Sequence, residues 1–373
     1  MGARARRGAA GVGEALSARR ALLAWYRANR RDLPWRRTRD PWAIWVSEAM
    51  LQQTRVETVI PYYERFLRRF PDPAALADAE LDEVLGLWAG LGYYARARSL
   101  RAAAAQVVEC HGGRVPDSVE ALQTLPGVGR YTAGAVASIA FDRPAPVVDG
   151  NVARVLSRLR GIREPIDGAA GRAQLWAEAE VLVRGPAPGD LNQALMELGA
   201  RICLPRAPRC PACPLARECA ARAAGDAEAL PRRAPKRRPR RVRAVAALVV
   251  RGGRALAVQR PPRGLLGGLW ELPGGEVATA RAADAAALAR ILRERTGLEV
   301  GAVVPAGRLE HGFTHRTLRL RVFRCEAKPG RVRLAGWDRH RWVTERAFAA
   351  LPLGTLARRA LALASGLGRQ DRS

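Results

Sequence analysis

Apolar residues recur at helical spacing through the first 220 residues of the chain. In residues 57–70, for example, Val59, Tyr63 and Phe66 fall on one face of a predicted helix. Further helices are predicted at 14–29, 42–53, 118–124, 131–141 and 152–159. No alternating strand pattern appears before residue 240. The first part of the chain is therefore predicted to be all-α.

From residue 244 the pattern becomes typical of β-structure. Two apolar segments, AVAALVVR and RALAVQR, flank Gly252-Gly253, and this arrangement predicts a hairpin. The segment RTLRLRVFRC at 316–325 alternates polar and apolar residues as a strand does. A helix is predicted at 281–295. The fold class expected is a multidomain chain, with an all-α domain followed by an α+β domain.

The segment 221–243 separates these two patterns. It is rich in Pro and Arg and lacks apolar periodicity, so we interpret it as a linker with incidental affinity for DNA. The expected divisions are a basic tail at 1–13, an all-α domain at 14–220, the linker at 221–243, an α+β domain at 244–365 and a C-terminal tail at 366–373.

The charge balance points to a polyanionic partner. The chain has 373 residues, with 63 Lys and Arg against 35 Asp and Glu, and a formal net charge of +28. Such an excess favours DNA or RNA binding, although an abundance of Arg and Ala indicates that part of it is general bias. No apolar run is long enough to cross a membrane, and the N-terminus lacks the apolar core of a signal peptide. We expect a cytoplasmic, monomeric protein with no membrane partner.

A glycine-rich turn, LPGVG at 125–129, lies between two predicted helices. Gly127 and Gly129 permit close backbone approach, and the amides at the start of the following helix can bind an anion. This arrangement indicates a helix-hairpin-helix, for which a nucleic acid phosphate is the natural anion. Taken alone, the turn fits an ordinary helical connection equally well.

Four of the six cysteines lie close together in the sequence. They are Cys203, Cys210, Cys213 and Cys219. Clustered thiols indicate metal binding in a reducing compartment in preference to disulfides. Four thiolates can hold an iron–sulfur cluster or a tetrahedral zinc ion, and spacing alone does not choose between them.

Two motifs, LPGVGR at 125–130 and VVDGNVARVL at 147–156, resemble those of the endonuclease III superfamily of DNA glycosylases, and within it the adenine-DNA glycosylases of MutY type. The resemblance extends over about residues 20–365. It implies a helix-hairpin-helix glycosylase domain, a [4Fe-4S] cluster on the four clustered cysteines, and a C-terminal MutT-like (Nudix-like) domain.

The same resemblance implies a catalytic pair of carboxylates. The segment SEAMLQQT at 47–54 matches the motif that carries the general acid, which makes Glu48 the group that protonates adenine at N7. Its apolar neighbours should raise the pKa of Glu48. Asp149 would stay ionised and stabilise or trap the oxocarbenium-like sugar, while Asn151 orients Asp149.

Tyr131 separates this chain from the wider superfamily. Endonuclease III has a lysine at this position, which forms a Schiff base and cuts the strand, and a phenol cannot form that imine. We therefore expect a monofunctional glycosylase, in which Tyr131 positions Glu48 or the water.

The resemblance also implies residues that contact the bases. Those that match positions lining the adenine pocket are Trp35, Arg36, Leu51 and Gln193, and those that match positions probing the lesion are Gln53 and Tyr93.

The second domain resembles the C-terminal domain of the MutY branch. A catalytic Nudix box needs several glutamates on one helix to hold Mg²⁺, but Ile291 and Arg295 replace two of them and Glu294 remains alone. We expect no pyrophosphatase activity. The surviving role is recognition, in which the loop residues Phe313, Thr314 and His315 read 8-oxoguanine.

The sequence thus predicts an adenine-DNA glycosylase of base excision repair. Its substrate would be double-stranded DNA with adenine opposite 8-oxoguanine, and adenine opposite guanine as a side activity. The alternatives are a bifunctional glycosylase and lyase for pyrimidine lesions, a DNA-binding clamp without turnover, and a nucleotide pyrophosphatase fused to a binding module. Tyr131, the pair of carboxylates and the broken Nudix box count against these three in turn. We expect a protein of the bacterial cytoplasm that associates with the nucleoid by binding DNA.

Overall fold

A computed structural model describes residues 2–235, 239–278, 284–313 and 316–365, with side chains described from Ala15 onward. The chain divides into two units. The first contains residues 1–78 and 102–236, and the second contains residues 79–101 and 237–373. The predicted tail at 366–373 and the loop residues Thr314 and His315 lie outside the described residues. The domain boundaries expected from the sequence stay a prediction.

Twelve helices precede the first strand in the described part of the chain. They are α1 Gly2–Asn29, α2 Pro41–Leu51, α3 Val56–Arg69, α4 Pro73–Ala77, α5 Leu81–Trp88, α6 Ala95–His111, α7 Val119–Gln123, α8 Arg130–Phe141, α9 Gly150–Arg160, α10 Ala169–Val183, α11 Pro188–Arg201 and α12 Ala220–Ala223. Short 3₁₀ turns occur at Pro34–Arg36, Cys210–Ala212 and Ala227–Ala229. The all-α character predicted for this part is confirmed.

Side-chain caps fix where the helices that carry the site begin. The carboxylate of Asp40 accepts hydrogen bonds from the first amides of α2, with Pro41 at the first helical position. Asp149 caps α9 in the same way, accepting from the amide of Val152. Helix α8 follows Gly129 without a side-chain cap, so its first amides keep their hydrogen-bonding capacity.

Helices α1, α9 and α11 share one buried core in the first unit. Leu22, Leu156 and Leu195 belong to it, and each is at most 1% exposed. The approach of α11 to α9 depends on Gly199, because a Cβ atom there would lie 2.6 Å from the Cβ of Asn151. That close contact sets the N-terminus of α9 against α11.

The second unit is built on one mixed sheet. Its strands are β1 Arg240–Arg251, β2 Arg254–Gln259, β3 Trp270–Glu271, β4 Gly274–Glu276, β5 Val304–Gly312, β6 Arg316–Glu326 and β7 Arg339–Val343. The strands are accompanied by α5 and by α13 Asp284–Thr296, α14 Glu345–Ala350 and α15 Thr355–Ser365. The strand order is β3-β2-β1-β6-β5, with β4 on β1 and β7 on β2. Strands β1 and β6 are parallel, and the other pairs are antiparallel.

Each face of this sheet buries its own apolar cluster. Alternate residues such as Val245 and Phe323 pack with Leu288 of α13 on one face. Leu320 and Leu361, the second from α15, belong to the cluster on the other face. The predicted α+β fold is confirmed, although β1 begins four residues before the predicted hairpin does. None of the described helices is both long and apolar enough to cross a lipid bilayer.

Candidate active site

A cavity of about 180 Å³ lies in the first unit. The turn at Pro34–Arg36 and helices α2, α8, α9 and α11 contribute its walls. Eight of the residues predicted from the sequence line it together, namely Trp35, Arg36, Glu48, Leu51, Tyr131, Asp149, Asn151 and Gln193. The structure thus gathers into one cavity the predicted catalytic residues and those predicted to line the adenine pocket.

Glu48 is a buried carboxyl with one hydroxyl partner. It is 4% exposed, and its Oε2 accepts a hydrogen bond of 2.7 Å from the phenol of Tyr131. Burial raises the pKa of Glu48 to about 7, and the nearby carboxylate of Asp149 adds to the rise. The hydrogen bond from Tyr131 and the charge of Arg36 oppose it. Glu48 can therefore hold a proton near neutral pH.

Asp149 is the second carboxyl of the cavity, and it accepts hydrogen bonds from two donors where Glu48 accepts from one. Its Oδ1 accepts from the amide of Val152 at 2.7 Å, and its Oδ2 accepts from Nδ2 of Asn151 at 3.1 Å. Burial raises the pKa of Asp149 above its ordinary value, and these hydrogen bonds and the charge of Arg154 offset only part of that rise. Because both of its oxygens serve as acceptors, the ionised form suits Asp149 better than Glu48.

A hydrogen-bonded chain runs from Asp149 towards the cysteine loop. Asn151, which donates to Asp149, accepts through Oδ1 a bond of 2.8 Å from Arg154. Arg154 also donates through Nε to the carbonyl of Cys203 at 2.7 Å and through Nη2 to the carbonyl of Gly199 at 2.7 Å. The orientation of the candidate catalytic aspartate is therefore tied to the backbone at the first clustered cysteine.

The four clustered cysteines are half-buried free thiols. Burial raises the pKa of Cys213 to about 11, and the other three clustered thiols contribute to that rise. The guanidinium of Arg158, itself 2% exposed, donates to Sγ of Cys203 at 3.3 Å. Among the described residues, no three His, Cys, Asp or Glu side chains lie close enough together to hold a single metal ion.

An ion-pair network that the sequence did not reveal forms part of the cavity wall. Glu197 of α11 has a fully buried side chain and accepts two bonds of 2.8 Å from Arg31 and one of 2.9 Å from Arg36. Burial alone would raise the pKa of Glu197, but these two arginines overcome it and lower the pKa to about 2. The sequence signal that could have identified Glu197 as a cavity residue is its position one helical turn after Gln193, on the same face of the helix.

Replacing Glu197 with glutamine should lower the free energy of unfolding by about 2 kcal/mol at pH 7, because the partly buried guanidinium groups of Arg31 and Arg36 lose their counter-charge. The folded-state pKa lies below the ordinary value of 4.5, so this stability is complete above about pH 4.5 and is lost as the pH falls towards 2. Urea unfolding of both proteins at pH 7 measures the difference. Equal unfolding midpoints would contradict the assigned network.

Other predicted contacts lie outside this cavity. Gly127 has a φ of 76°, which turns the hairpin, and a Cβ on Gly129 would meet no atom within 4 Å, so the backbone there is open to a close approach. The two predicted lesion probes, Gln53 and Tyr93, both have positive φ angles, of 57° and 49°. Positive φ is uncommon for residues other than glycine, and such strain clusters at functional positions.

The second unit has its own pocket, of about 450 Å³, which brings Tyr93 and Phe313 together. Phe313 is held by two neighbours that also line the pocket. The ring of His311 stands edge-on at 4.7 Å between centroids, and the guanidinium of Arg316 lies 5.3 Å from the Phe313 ring centre. Tyr93 is 49% exposed, which makes it one of the few large aromatic side chains on the surface of the described residues. Thr314 and His315, predicted to act with Phe313, lie outside the described residues.

Helix α13 carries the degenerate Nudix box. Ile291 is buried in the apolar cluster between α13 and the sheet, and Glu294 pairs with Arg290 at 3.0 Å on the surface. Arg295 donates to the carbonyls of Gly274 and Ala335. Two of the positions where a metal-binding box has carboxylates thus have packing and backbone-tethering roles.

Comparison with known proteins gives two family matches. Residues 46–178 match the HhH-GPD superfamily of base excision DNA repair proteins, and residues 244–363 match the NUDIX domain. Among curated proteins, the chain is similar to the adenine DNA glycosylase of Homo sapiens, with 37% identity over 95% of this chain and 75% of that protein. It is 38% identical to the Rattus norvegicus protein of the same name, over 92% and 77% of the two chains.

One solved structure supports the fold of the helical part. A thermostable thymine-DNA glycosylase matches with a TM-score of 0.51 and 32% identity, over 57% of this chain and 98% of that one. The helical architecture around the cavity is therefore one that DNA glycosylases use.

Proposed function

Because the chain belongs to the adenine DNA glycosylase family, we propose that its substrate adenine lies opposite 8-oxoguanine in double-stranded DNA, and opposite guanine as a side activity. The protein is a DNA glycosylase of base excision repair that acts on adenine. The single observation that supports our assignment of the chemistry is a pair of carboxyls, the buried Glu48 and the half-buried Asp149, which line one cavity with different partners.

Glu48 is the general acid in this proposal. An adenine must leave the base stack to react, and the cavity that Glu48 lines is the pocket for the extruded base. With a pKa of about 7, Glu48 can carry the proton that it gives to N7 of adenine. Protonation makes the base a better leaving group, so the N-glycosidic bond breaks with the electron pair going to the base.

Asp149 stabilises the positive charge that develops on the sugar as this bond breaks. Its two hydrogen bonds, from Val152 and Asn151, keep it an acceptor and fix its direction. A fixed negative charge next to the sugar acts strongly on an oxocarbenium-like transition state. The same carboxylate can also form a covalent bond to the sugar, which water then hydrolyses.

The remaining cavity residues bind and orient the adenine. Trp35 and Leu51 offer apolar surface for the faces of the base, whereas Arg36 and Gln193 offer polar groups for its edge. Glu197 holds Arg36 in place through their ion pair. This division into apolar faces and a polar edge fits a purine.

Tyr131 makes the enzyme monofunctional. Its phenol donates to Glu48 and has no amine with which to form a Schiff base to the sugar. The enzyme should therefore leave an abasic site in an intact strand. A pyrimidine-lesion lyase, the nearest alternative, needs an amine at this place.

Replacing Tyr131 with phenylalanine should move the pH dependence of excision upward. The phenol lowers the pKa of Glu48, so its loss raises that pKa above about 7, and the protonated acid persists to higher pH. A single-turnover pH–rate profile of the wild type and the variant measures the shift. An unmoved profile would show that this hydrogen bond does not control Glu48.

The pocket of the second unit is our candidate for reading the base opposite adenine. Tyr93 and Phe313 supply aromatic surface, and strain in the backbone of Tyr93 supports a probing or intercalating role. We propose that Thr314 and His315, next to Phe313 in the sequence, add the polar contacts to 8-oxoguanine. Gln53 in the first unit also has a positive φ and is assigned the same role of probing or intercalating at the lesion.

The hairpin before α8 anchors the DNA backbone. Gly127 turns the chain with a φ of 76°, Gly129 leaves room for a phosphate, and the first amides of α8 lack a side-chain cap. This contact is independent of base sequence and positions the strand in front of the cavity.

The four clustered cysteines are assigned to a [4Fe-4S] cluster. The four cysteines lie within 17 residues of one another, none forms a disulfide, and the guanidinium of Arg158 offers the hydrogen bond that a thiolate accepts. The cluster would cross-link the loop to which Arg154 donates a hydrogen bond. Through Arg154, the cluster would also stabilise the orientation of Asp149. It takes no part in bond breaking in this proposal.

Replacing Cys213 with serine should release the iron and the visible absorbance of the cluster, because one of four thiolate ligands is removed. Iron content per chain is the measurement. Cys110→Ser is the matched control, since Cys110 is exposed on α6 away from the loop, and that variant should keep its iron. Zinc in place of iron in the wild type would contradict the assignment.

The second unit, we propose, no longer hydrolyses nucleotides. Glu294 is the only box glutamate left, and it pairs with Arg290. Wild-type protein should release no pyrophosphate from an oxidised dGTP in the presence of Mg²⁺.

The experiment that tests the whole proposal uses a labelled duplex with one 8-oxoguanine:adenine pair and an excess of enzyme. Half of each sample is treated with hot alkali. Cleavage of the adenine strand only after alkali is expected from a monofunctional glycosylase. Cleavage without alkali would assign a lyase, and no cleavage in either half would leave another lesion, or binding without turnover, as the function.

A further inference from the structure

Arginines occupy alternate positions on one face of the sheet in the second unit. They are Arg241 and Arg243 on β1, Arg308 on β5, and Arg319 and Arg321 on β6. Alternate residues of a strand point to the same face. The register sets Arg243 beside Arg319 and Arg308 beside Arg321, so the five side chains belong to one surface. We call these five residues the arginine face.

Helix α13 covers the same side of the sheet only in part. It packs over Val245 and Phe323, and it begins at Asp284, where the arginine face starts. Beyond that point the described residues leave an open depression of about 480 Å³, lined by Arg243, Asp284 and the residues on β5 and β6. Arg308 and Arg319 are exposed there.

Two carboxylates only partly neutralise this surface. Asp284 is 1% exposed and forms ion pairs with Arg243 at 2.9 Å and with Arg321 at 3.2 Å. These pairs hold both guanidinium groups beside the first residue of α13. Glu310 pairs with Arg319 at 3.1 Å. Arg308 has no acidic partner among the described residues, and five arginines against two acids leave a net charge of +3.

The arrangement is costly for the fold itself. Like charges directly opposite each other on neighbouring antiparallel strands destabilise a sheet, and the register of β5 with β6 creates this situation at Arg308 with Arg321. A positive surface of this kind attracts a polyanion. Leu309 and Leu320 are the large apolar residues that line the depression and no aromatic residue among those described lines it, whereas the centres of protein–protein interfaces are rich in aromatic side chains.

We propose that the arginine face binds the phosphodiester backbone of duplex DNA away from the mispair. Guanidinium groups bind phosphates through paired hydrogen bonds, and such contacts add affinity without reading sequence. None of the five arginines lines the adenine cavity or the pocket of Tyr93 and Phe313. The proposal goes beyond the excision reaction and rests only on duplex DNA being the partner.

The test measures binding of the full-length protein to an undamaged duplex of about 20 base pairs, by fluorescence anisotropy over a range of salt concentrations. The test variant is Arg308→Gln with Arg319→Gln, and Arg308→Lys with Arg319→Lys retains the charge. The matched control is Arg331→Gln with Arg346→Gln, an equal charge change at exposed positions of the same unit. Arg331 lies beside Gly297, past the other end of α13, and Arg346 lies on α14, whose Phe348 packs on the opposite face.

The glutamine pair at 308 and 319 should weaken binding about tenfold near 0.1 M salt and reduce the slope of log affinity against log salt by about 1.8, because each phosphate contact contributes about 0.9. The lysine pair should keep most of the affinity, and the control pair should lose at most about twofold. The melting temperature of the glutamine pair should stay the same or rise, since like-charge repulsion is relieved.

Equal losses in the test and control pairs would overturn the proposal, because only the overall charge would then matter. Unchanged affinity and slope in the glutamine pair would overturn it as well. An undamaged duplex contains no adenine mispair, so these outcomes do not depend on whether the excision proposal holds.

Discussion

Replacing Asp149 with asparagine is expected to slow adenine excision by about 1,000-fold or more in single turnover, with little change in DNA affinity. The expected loss follows from charge alone. Asparagine caps helices as well as aspartate does, so the hydrogen bond from Val152 and the start of α9 survive. The transition state, however, loses the carboxylate next to the sugar.

The matched control is Asp40→Asn. Asp40 caps α2 through the same kind of contact and stands outside the cavity, so this variant should keep the full rate of excision. The measurement is single-turnover excision from an 8-oxoguanine:adenine duplex, together with binding of the same duplex. If Asp149→Asn keeps its rate, or if both variants lose activity equally, the assigned role of Asp149 is wrong.

Replacing Glu48 with glutamine is expected to slow excision by a factor between about 100 and 10,000, the usual contribution of a general acid. Glutamine has nearly the same shape and can still accept from Tyr131, so the cavity wall should persist. It has no proton to give to N7 of adenine. Glu64→Gln, an exposed carboxylate on α3, is the matched control and should retain activity.

The pH dependence distinguishes an acid from a merely structural carboxyl. With a pKa of about 7, Glu48 is mostly protonated below pH 7 and loses its proton above it. The wild-type rate should therefore be highest below pH 7 and fall about tenfold per pH unit well above it. The residual rate of Glu48→Gln should be flat through this range. A wild-type rate that stays constant from pH 6 to 9 would exclude Glu48 as the acid.

Much of the architecture could be predicted from local sequence. Helices α2, α8 and α9 lie within two residues of their predicted bounds, since their caps and apolar patterns are local signals. The same holds for the hairpin at Gly252-Gly253. The prediction that Glu48 is a carboxyl of raised pKa came from its apolar neighbours, and the structure agrees with that direction.

The features that escaped prediction depend on partners distant in sequence. Arg31 and Glu197 are 166 residues apart, and only the packing of α1 against α11 brings their charges together. Strand β5 contains Pro305 and Gly307, which obscure its pattern, and its pairing with β6 stabilises it. Nothing local to Asn151 indicates that Arg154 ties it to the cysteine loop.

The assignment of segment 79–101 to the second unit limits where the chain can be divided for expression. This segment reads as helix like its neighbours, yet it belongs to the second unit, where Asp82 accepts hydrogen bonds from Gln259 at 2.7 Å and Trp270 at 3.3 Å. The hydroxyl of Tyr94 likewise donates to the carbonyl of Leu353. An expression fragment that begins at residue 237 lacks Asp82 and Tyr94, and leaves the amide of the buried Gln259 without one of its acceptors. Such a fragment has an incomplete fold, so its activity does not report on the intact unit. Domain swaps between homologues therefore need two crossover points, one on each side of residues 79–101, in addition to the one at the linker.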